Sequence, residues 1–470
     1  MLIALLLYCL EKAPGNAIFK IIPLNRHMQK KFKILLAIVI VIVIGIAGAV
    51  SLPKYAGRMP FLLVLLVLDL YYWKVMRTNL WPDKRILHYL VNILYWLPFC
   101  LLMIFIMASG IWSIRFWPPV FKIYLPGLAL VGYVSKFGLY FFLILADILA
   151  LIRGSVKVIL GKAKTTGVFF HRWQPFMIAG VILSGLIFAF LCTGMIYWVY
   201  DFSVKTVSIE SLDVPKEFDG FRVVQISDIH LGSWISDRPL KRAISIINDL
   251  KPDIVLFTGD LVNFSTDEAY PFREDLKQLA APSGIYAIKG NHDYGDYINW
   301  PSEKAKQDDN DSLSSFYRQI GWKLMNNCNV ILHKDSANIA IAGIENWSAN
   351  PRYGKRGNLT EALRGTGSIS FIILMSHDPT HWEAEVSRTY PQVDLTLSGH
   401  THGFQLGIET ASFRWSPAQY VFTYWAGLYS KKQKNGDEQF LYVNRGLGTI
   451  GFPGRVGILP EITLFILKRK

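Results

Sequence analysis

Five short clusters of polar side chains in the C-terminal half of the chain have the residue types that bind metal ions. Each cluster directly follows a short apolar run: Asp228-Ile-His230, Gly259-Asp260, Gly290-Asn291-His292-Asp293, Ser376-His377-Asp378 and Gly399-His400-Thr401-His402. Carboxylate oxygens and neutral imidazoles together suit first-row divalent metals such as Zn, Mn or Fe. In Asp-x-His and His-x-His, alternate residues of an extended segment point the same way, so both side chains can face one ion. One such cluster is weak evidence, but five in one domain predict a metal site.

The same residues could hold two cations rather than one. A carboxylate has two oxygens and can bridge two metals, and two divalent metals about 4 Å apart can activate water and neutralise charge on a phosphoryl group. Glycine before Asp260, Asn291 and His400 lets the backbone approach such a site closely. His333 and His381 belong to none of the clusters, and we expect surface or structural roles for them.

The elements that must position these clusters read as strands that alternate with helices. The predicted strands are β-branched runs at Arg222–Ser227, Asp253–Thr258, Ile285–Lys289, Ile339–Ile344, Ser370–Met375 and Val393–Ser398. Apolar residues spaced by three and four predict an amphipathic helix over Arg238–Leu250. This alternation is typical of an α/β domain with a largely parallel sheet, in which ligands bind beyond the carboxyl ends of the strands. The polar clusters fall at those ends.

The order of the clusters resembles that of the calcineurin-like metallophosphoesterase superfamily, whose pattern is DxH, GDxxD, GNH(D/E), H and GHxH. The chain has DIH, GDLVN, GNHD, SHD and GHTH, and its segments QISDIHLG, LSGHTHG, YVNRGLG and GRVGILPEI resemble the membrane-anchored bacterial branch. The resemblance covers roughly residues 203–468. It implies a four-layer α/β/β/α sandwich and metal-dependent phosphoester hydrolysis, in which a hydroxide that bridges two metals attacks phosphorus.

The resemblance also implies roles for individual residues. Asp228, His230 and His402 would hold one metal, Asn291, His377 and His400 would hold the other, and Asp260 would bridge the two. His292 would assist the leaving oxygen, as an acid or by stabilising the transition state, which suits imidazole because it titrates near neutral pH. Asp293 would orient His292.

Two residues depart from the family pattern, and their effects and the role of one aromatic segment are open to more than one interpretation. The last residue of the second motif is Asn263 rather than Asp, which bears on fine positioning of the site. Phe404 follows the last motif where the branch often has glycine, and its ring either narrows the pocket or reflects a repacked loop. The aromatic segment Phe413–Tyr429 is either a pair of core strands or a membrane-facing lip that admits an amphiphilic substrate.

The N-terminal half reads as a membrane region. Apolar stretches run roughly over Ile34–Leu52, Pro60–Trp73, Leu87–Trp112, Ile123–Ile152 and Pro175–Tyr200. Most of them approach the ~20 residues that cross a bilayer, so we expect about five spans. Met1–Leu10 does not read as a signal peptide, and Met28 is an alternative start. Asp69, Lys136 and Asp147 lie in or beside spans, where they either have a function or form a buried pair or reach the interface.

The positive charge of the chain lies entirely in this half. The formal net charge is +14, yet residues 1–200 carry 20 Lys and Arg against four acids, whereas residues 201–470 carry 29 against 31. The basic residues in the successive loops number six, two, four, two and five, so rich and poor loops alternate. The positive-inside rule then predicts a cytoplasmic N-terminus in the plasma (inner) membrane and an extracytoplasmic C-terminal half. The excess of basic residues is therefore explained by membrane topology, and it gives no support for a nucleic-acid partner.

The sequence therefore predicts three parts: an N-terminal cytoplasmic segment over residues 1–32, a transmembrane region over 33–200 and a phosphoesterase domain over 201–470. The predicted function is hydrolysis of a phosphoester substrate, lipid-linked or from the cell envelope, with membrane lipid as a further partner. Two alternatives remain. One is a membrane sensor or scaffold whose domain binds metal without turnover, and the other is a transporter with an accessory enzyme domain.

Overall fold

The computed structural model describes residues 57, 59–80, 84–161, 174–410, 412–432 and 438–470. The predicted cytoplasmic segment, the choice between Met1 and Met28 and the first predicted span, Ile34–Leu52, lie outside these residues. The chain forms two compact units. One unit contains Leu128–Phe188 and the described residues up to Trp112, and the other contains Ser113–Gly127 and Ala189–Lys470. The predicted boundary near residue 200 falls within the second unit.

Four long apolar helices account for the other four predicted spans. They are α1 (Met59–Asn79), α2 (Arg85–Ile111), α3 (Pro119–Ile159) and α4 (Gln174–Ile196). Each is long and apolar enough to cross a membrane. Helix α3 has 41 residues, which at 1.5 Å per residue is about 60 Å, twice the thickness of the hydrocarbon core. Its first nine residues belong to the second unit.

An ion pair lies inside the first unit. The Lys136 Nζ is 2.6 Å from Asp69 Oδ1, and the hydroxyl groups of Tyr140 and Tyr133 donate to the two oxygens of the same carboxylate. Both charged residues are buried. Of the alternatives for Asp69 and Lys136, the structure contains the buried pair. Asp147 instead accepts a hydrogen bond from the Tyr71 hydroxyl at an exposed position.

The second unit is built on two six-stranded sheets. The first has the order β1-β14-β2-β3-β4-β5 and the second the order β12-β13-β9-β8-β7-β6. Strands β2 to β5 run parallel in the first sheet, as do β13, β9, β8 and β7 in the second, with antiparallel pairs towards the edges. The strand bounds are β1 (Ser203–Ser211), β2 (Arg222–Ile226), β3 (Ile254–Phe257), β4 (Ile285–Ala287), β5 (Lys323–Leu324), β6 (Cys328–Lys334), β7 (Ala337–Gly343), β8 (Ile372–Met375), β9 (Leu395–Ser398), β12 (Gly427–Lys432), β13 (Glu438–Val443) and β14 (Glu461–Arg469).

Helices cover the outer faces of both sheets. The first sheet carries α5 (Arg238–Asp249), α6 (Arg273–Leu276) and α7 (Glu303–Gln319), and the second carries α8 (Leu359–Ala362) and the helical residues 382–389. A short hairpin, β10 (Ile408–Glu409) with β11 (Arg414–Trp415), stands apart from both sheets.

The alternating direction of side chains along each strand explains how the sheets and helices form layers. On β2, Val223 faces a core shared with the second sheet, whereas its neighbour Val224 faces the core beneath α5. On β8, Ile373 joins the core between the sheets and Ile372 joins the outer core beneath α8. Because successive side chains of a strand point to opposite faces, each sheet is buried on both sides. This confirms the expected four-layer α/β/β/α sandwich.

Candidate metal centre

The polar clusters meet where the central strands of the two sheets end. Asp228 and His230 follow β2, Asp260 follows β3, and Asn291 follows β4. From the second sheet, His377 follows β8, and His400 and His402 follow β9. Parallel strands that share a direction end at the same edge of their sheet, so the two sheets bring seven residues from five loops together. Six of the seven are buried, and His400 is nearly so.

One group of ligand atoms contains Asp228, His230 and His402. The Nε2 atoms of the two histidines are 3.1 Å apart, and the His402 Nε2 is 3.3 Å from Asp228 Oδ1. The other ring nitrogens, the Nδ1 atoms of His230 and His402, are buried and have no hydrogen-bond partner among the described residues.

A second group contains Asp260, His377 and His400. The His377 Nε2 lies 3.2 Å from Asp260 Oδ2 and 3.2 Å from Asn291 Oδ1. Its other ring nitrogen is bonded to the carbonyl of Thr258 at 2.8 Å, which leaves Nε2 to face the group. The same Asp260 oxygen is 3.6 Å from the Nε2 of His230 in the first group. Asp260 therefore stands between the two groups.

The charges of these groups favour a cation. Burial lowers the pKa of His230 well below its ordinary value, which keeps this imidazole neutral and its lone pair available. Burial also lowers the pKa of His377, but the Asp260 carboxylate more than offsets it and raises the pKa to about 10. Burial raises the pKa of Asp260, and His377 and His292 outweigh that effect, so its pKa lies well below the ordinary value. A carboxylate held ionised in a dry site attracts positive charge.

This donor set fits two divalent cations. Two imidazole nitrogens that face each other at 3.1 Å need a cation or a shared proton between them, because two lone pairs would otherwise repel. Neutral imidazoles, carboxylates and an amide oxygen are the ligands of borderline divalent metals. One group would hold one ion through Asp228, His230 and His402, and the other would use His377, His400 and Asn291, with Asp260 available to both.

The backbone at the site is held in an uncommon conformation. Asp228, His230, Asp260, His400 and His402 all have φ between 47° and 70°. Non-glycine residues seldom adopt this left-handed region, which costs of order 1 kcal/mol or more each and persists only where the surroundings enforce it. Gly399 shows how tight the surroundings are, since a Cβ there would collide with the side chains of Ser227 and Asp228.

His292 lies beside the ligands but is oriented by a different contact from the expected one. Its Nδ1 is 2.8 Å from the carbonyl oxygen of Asn263, and its ring stacks on Tyr297 with centroids 4.1 Å apart. The ring is half-buried and lies 4.9 Å from that of His230. An Nδ1–H that donates to Asn263 leaves Nε2 directed away from this contact and available to a substrate.

The hydrogen bonds that the structure describes for the Asp293 carboxylate do not go to the His292 ring. The carboxylate instead accepts hydrogen bonds from four backbone N–H groups, those of Asp260, Leu261, Val262 and Gly290. These bonds tie the loop after β3 to the loop after β4. Asp293 thus shapes the loops that carry Asp260 and Asn291, whereas orientation of the His292 ring comes from the backbone of Asn263.

Asp378 is a polar residue of the site for which the sequence analysis predicts no role. Its Oδ1 accepts from the backbone and hydroxyl of Thr380, and its Oδ2 is 3.5 Å from His400 Nε2. It is fully buried. Its place directly after His377 in the SHD cluster was the available signal, since a carboxylate behind a ligand histidine fixes the ring orientation.

The aromatic segment Phe413–Tyr429 divides between the core and the surface. Ala418, Trp425 and Ala426 are buried together with Ile458, whereas Phe413, Tyr420 and Val421 are 55%, 76% and 64% exposed. Phe404 is also exposed, and together with Leu406 and Ile408 it forms an alternating row of apolar side chains that starts two residues after His402. We call these six exposed residues the apolar lip.

The lip adjoins the end of a membrane-spanning helix. Leu406 pairs with Val456, and the N–H of Arg455 donates to the carbonyl of Gly194 in the last turns of α4 at 3.1 Å. The half-buried ring of Phe422, which follows Val421 of the lip in the chain, is 5.6 Å from the ring of His400. Through these neighbours the lip is connected both to the last turns of α4 and to the candidate ligand His400.

Comparison with known proteins agrees with this architecture. A family model described as calcineurin-like phosphoesterase matches residues 221–404. An uncharacterized metallophosphoesterase, YkuE of Bacillus subtilis, is 33% identical over 272 residues, which cover 56% of this chain and 84% of the relative. A transmembrane protein with metallophosphoesterase domain from Danio rerio is 30% identical over 57% of each chain.

A third relative has a named substrate. The UDP-2,3-diacylglucosamine pyrophosphatase of Chlamydia muridarum is 27% identical over 301 residues, which cover 53% of this chain and 86% of the relative. The matches to the Bacillus and zebrafish proteins and the family model, together with the two sheets and the ligand loops, give one conclusion. The chain belongs to the calcineurin-like metallophosphoesterase family of metal-dependent phosphoric ester hydrolases.

Proposed function

We propose that the protein is a membrane-anchored phosphoesterase that uses two divalent metal ions. The observation that carries this proposal is the pair of ligand groups, Asp228–His230–His402 and Asp260–His377–His400, with the Asp260 carboxylate within 3.6 Å of a histidine of each group. Two divalent cations in these groups would lower the pKa of a water molecule and neutralise charge that develops on the phosphoryl group. Hydrolysis then adds water across a P–O bond.

His292 is the residue that we assign to the leaving group. The Asn263 carbonyl fixes its ring through Nδ1, so that Nε2, in its protonated form, can give its proton to the oxygen that departs from phosphorus. Its partial exposure distinguishes it from the buried ligands around it and allows contact with a substrate. Asp293 supports the same reaction indirectly, because it holds the two loops that carry Asp260 and Asn291.

The substrate that we propose is an amphiphilic, lipid-linked phosphoester. Support comes from the apolar lip, whose exposed phenylalanine and aliphatic side chains are connected through their neighbours to the last turns of α4 and to the candidate ligand His400. Apolar surface at a membrane interface gains free energy by entering the headgroup region, at about 25 cal/mol per Å² removed from water. The chlamydial relative, named for a diacylated sugar nucleotide, fits the same chemistry.

We also propose that the protein lies in the plasma (inner) membrane with its phosphoesterase domain on the extracytoplasmic side. The alternating basic loops support this orientation. Ion pairs of Arg115 and Lys122 with Asp267 and Glu268 support one part of it. These contacts support a topology in which the α2–α3 connection and the domain lie on the same side of the membrane. The two segments lie on the same side when both α3 and α4 cross the membrane. The domain that we propose therefore includes residues 113–127 as well as 201–470.

Turnover by the full-length protein in detergent tests the proposal. We expect hydrolysis of a chromogenic phosphodiester that requires Mn²⁺ or Zn²⁺ and stops in chelator. Asp260→Ala should lower kcat for this ester by at least ~100-fold, and His292→Ala should lower kcat by at least ~100-fold for a phosphodiester that releases an alkyl alcohol, in line with the usual contributions of a metal site and of a general acid. His333→Ala is the matched control, because this histidine is exposed and bonded to Asn338. Metal binding without turnover would instead favour the sensor or scaffold function.

A further inference from the structure

A buried ion pair joins the first turn of α3 to the catalytic loops. The Lys122 Nζ is 2.6 Å from Glu268 Oε1, and the two side chains are only 7% and 5% exposed. Both residues belong to the second compact unit. Buried pairs of this kind contribute little net stability, but removing one partner leaves an uncompensated charge in a dry site. We therefore look for the role of this pair in the part of the structure that it holds in place rather than in net stability.

The second oxygen of Glu268 binds the loop after β3. Oε2 accepts from the backbone N–H of Asn263 at 2.6 Å and from that of Phe264 at 3.1 Å. The carboxylate also packs against Gly232, two residues after His230, so closely that a Cβ on this glycine would collide with it. Glu268 thus uses one oxygen for Lys122 and the other for the backbone of residues 263 and 264.

The same backbone orients His292. Asn263 accepts from the His292 Nδ1 through its carbonyl oxygen at 2.8 Å, and its side-chain amide is bonded to Ser233. A continuous series of short contacts therefore runs from Lys122 through Glu268 and Asn263 to the His292 ring. Its last member is the histidine that faces the substrate in the function proposed above.

A second ion pair holds the same loop from the same segment of the chain. Arg115 donates from Nε and Nη2 to Asp267 Oδ2 at 2.9 and 2.5 Å, and its guanidinium lies over the ring of Trp300, 4.7 Å from the centroid. This pair is more exposed than the first. Residues 113–122 therefore contact the loop at two adjacent acidic residues.

We propose that Lys122 and Glu268 are positioning residues for His292. The segment that leads into α3 holds the 263–268 loop, and the loop holds the His292 ring so that Nε2 meets the leaving oxygen. This inference rests on the function proposed above, which gives His292 its role. It makes part of the membrane region a component of the active site, although no metal-ligand motif lies there. A phosphoesterase domain cut off at residue 201 would lack both cations.

Leaving-group dependence separates positioning from general support of the fold. In the full-length protein with Mn²⁺, we compare two phosphodiesters, one that releases 4-nitrophenolate and one that releases an alkyl alcohol. Proton donation matters only for the alcohol, a poor leaving group. We expect Lys122→Met and Glu268→Gln to lower kcat for the alkyl ester by about tenfold or more, with KM, Mn²⁺ affinity and 4-nitrophenyl ester turnover within about twofold of wild type.

Three further variants sharpen this test. Lys122→Arg should restore most of the alkyl-ester activity, because it keeps the cation. The double variant Lys122→Met/Glu268→Gln should be no slower than the slower single variant, because the two residues act as one unit. Lys304→Met removes a cation from the exposed pair with Asp308 and should change neither ester's rate.

Hydrogen–deuterium exchange gives a readout that does not depend on turnover. Peptides that cover residues 260–270 should exchange faster in Lys122→Met than in wild type, because the amides of Asn263 and Phe264 lose their fixed acceptor, whereas β8 should exchange as before. An equal loss of both esters with faster exchange throughout the domain would show a merely structural role and overturn the inference. Unchanged exchange and unchanged rates would overturn it too. An inactive wild type would contradict the proposed function, while exchange would still decide whether Lys122 holds the loop.

Discussion

Asp293 and His292 are neighbours in the chain with different physical tasks. The Asp293 carboxylate is buried and accepts four backbone N–H bonds, whereas the His292 ring is half-buried and accounts for one bond to a carbonyl. Hydrogen bonds to a charged group are among the stronger ones, and a buried donor without its acceptor costs about 1–3 kcal/mol. Asp293 therefore contributes to the stability of the loops, whereas the role that we propose for His292 is in the reaction.

Substitution of the two residues should separate these tasks. We expect Asp293→Ala to lower the midpoint of thermal unfolding by roughly 5 °C or more, because four buried amides lose their acceptor. His292→Ala should leave the midpoint nearly unchanged while activity falls. Differential scanning fluorimetry of the full-length protein in detergent measures both. If Asp293→Ala instead kept wild-type stability and lost only activity, Asp293 would act through His292 after all.

That the candidate ligand residues meet at one site could be predicted from the sequence, and their backbone geometry could not. Asp228, His400 and the other ligand residues directly follow apolar runs of strand length, and this local pattern is sufficient to place them at one edge of a sheet. Their positive φ angles depend on contacts between loops that are far apart in sequence, such as that of Gly399 with Asp228. The carbonyl that orients His292 belongs to the backbone of Asn263, so its role could not be recognised from the residue types in the sequence.

Among the elements, strands with a strong local signal were predicted and those that depend on distant partners were not. All six predicted strands are present, from β2 to β9. Strand β14 lies between β1 and β2 and pairs with a segment some 250 residues earlier, so its place in the sheet follows from tertiary packing alone. Strands β5, β10 and β11 have two residues each, which is too short for any periodicity to show.

The β10–β11 hairpin and the loop that follows it supply most of the apolar lip, and the lip gives a prediction about substrates. We expect the double variant Phe413→Ser/Val421→Ser to slow hydrolysis of a phospholipid-linked ester in vesicles by about tenfold, because two exposed apolar side chains no longer enter the headgroup region. Hydrolysis of a water-soluble diester should stay the same. Leu212→Ser is the control, because the exposed Leu212 follows the end of β1, which runs opposite to β2, and so lies at the other end of the sheet from the metal ligands.

Equal rates for the double variant and wild type on vesicles would contradict a membrane-facing lip. Equal slowing on the soluble and lipid-linked esters would indicate instead that the lip residues support the metal ligands. Vesicle sedimentation with the same variants distinguishes weaker contact with lipid from slower chemistry.

At the scale of the whole molecule, the property to be tested is the membrane topology of the chain. The first predicted span lies outside the described residues, so four helices carry the argument for crossing. In the topology that we propose, the α2–α3 connection and the domain share one side of the membrane, in agreement with the contacts of Arg115 and Lys122 with Asp267 and Glu268. The orientation itself then depends on the basic residues of the remaining loops.

Protease accessibility tests the orientation. A protease added to intact right-side-out cells should cut exposed sites of the domain, such as Lys304, and should spare the α3–α4 connection around residues 162–173. Immunoblotting with an antibody to the C-terminus follows the fragments, and permeabilised cells serve as the control. Protection of the domain in intact cells, with cleavage only after permeabilisation, would place it in the cytoplasm.

The ion pair between Lys122 and Glu268 spans 146 residues of sequence, and this separation sets an order of events during synthesis. At typical rates of 5–20 residues per second, the lysine is added to the chain roughly 7 to 30 seconds before the glutamate. Helix α3 can therefore enter the bilayer before the loop with Glu268 is made. The phosphoesterase domain would then complete its folding against a cation that is already in place, and full activity on the alkyl ester would depend on correct insertion of α3.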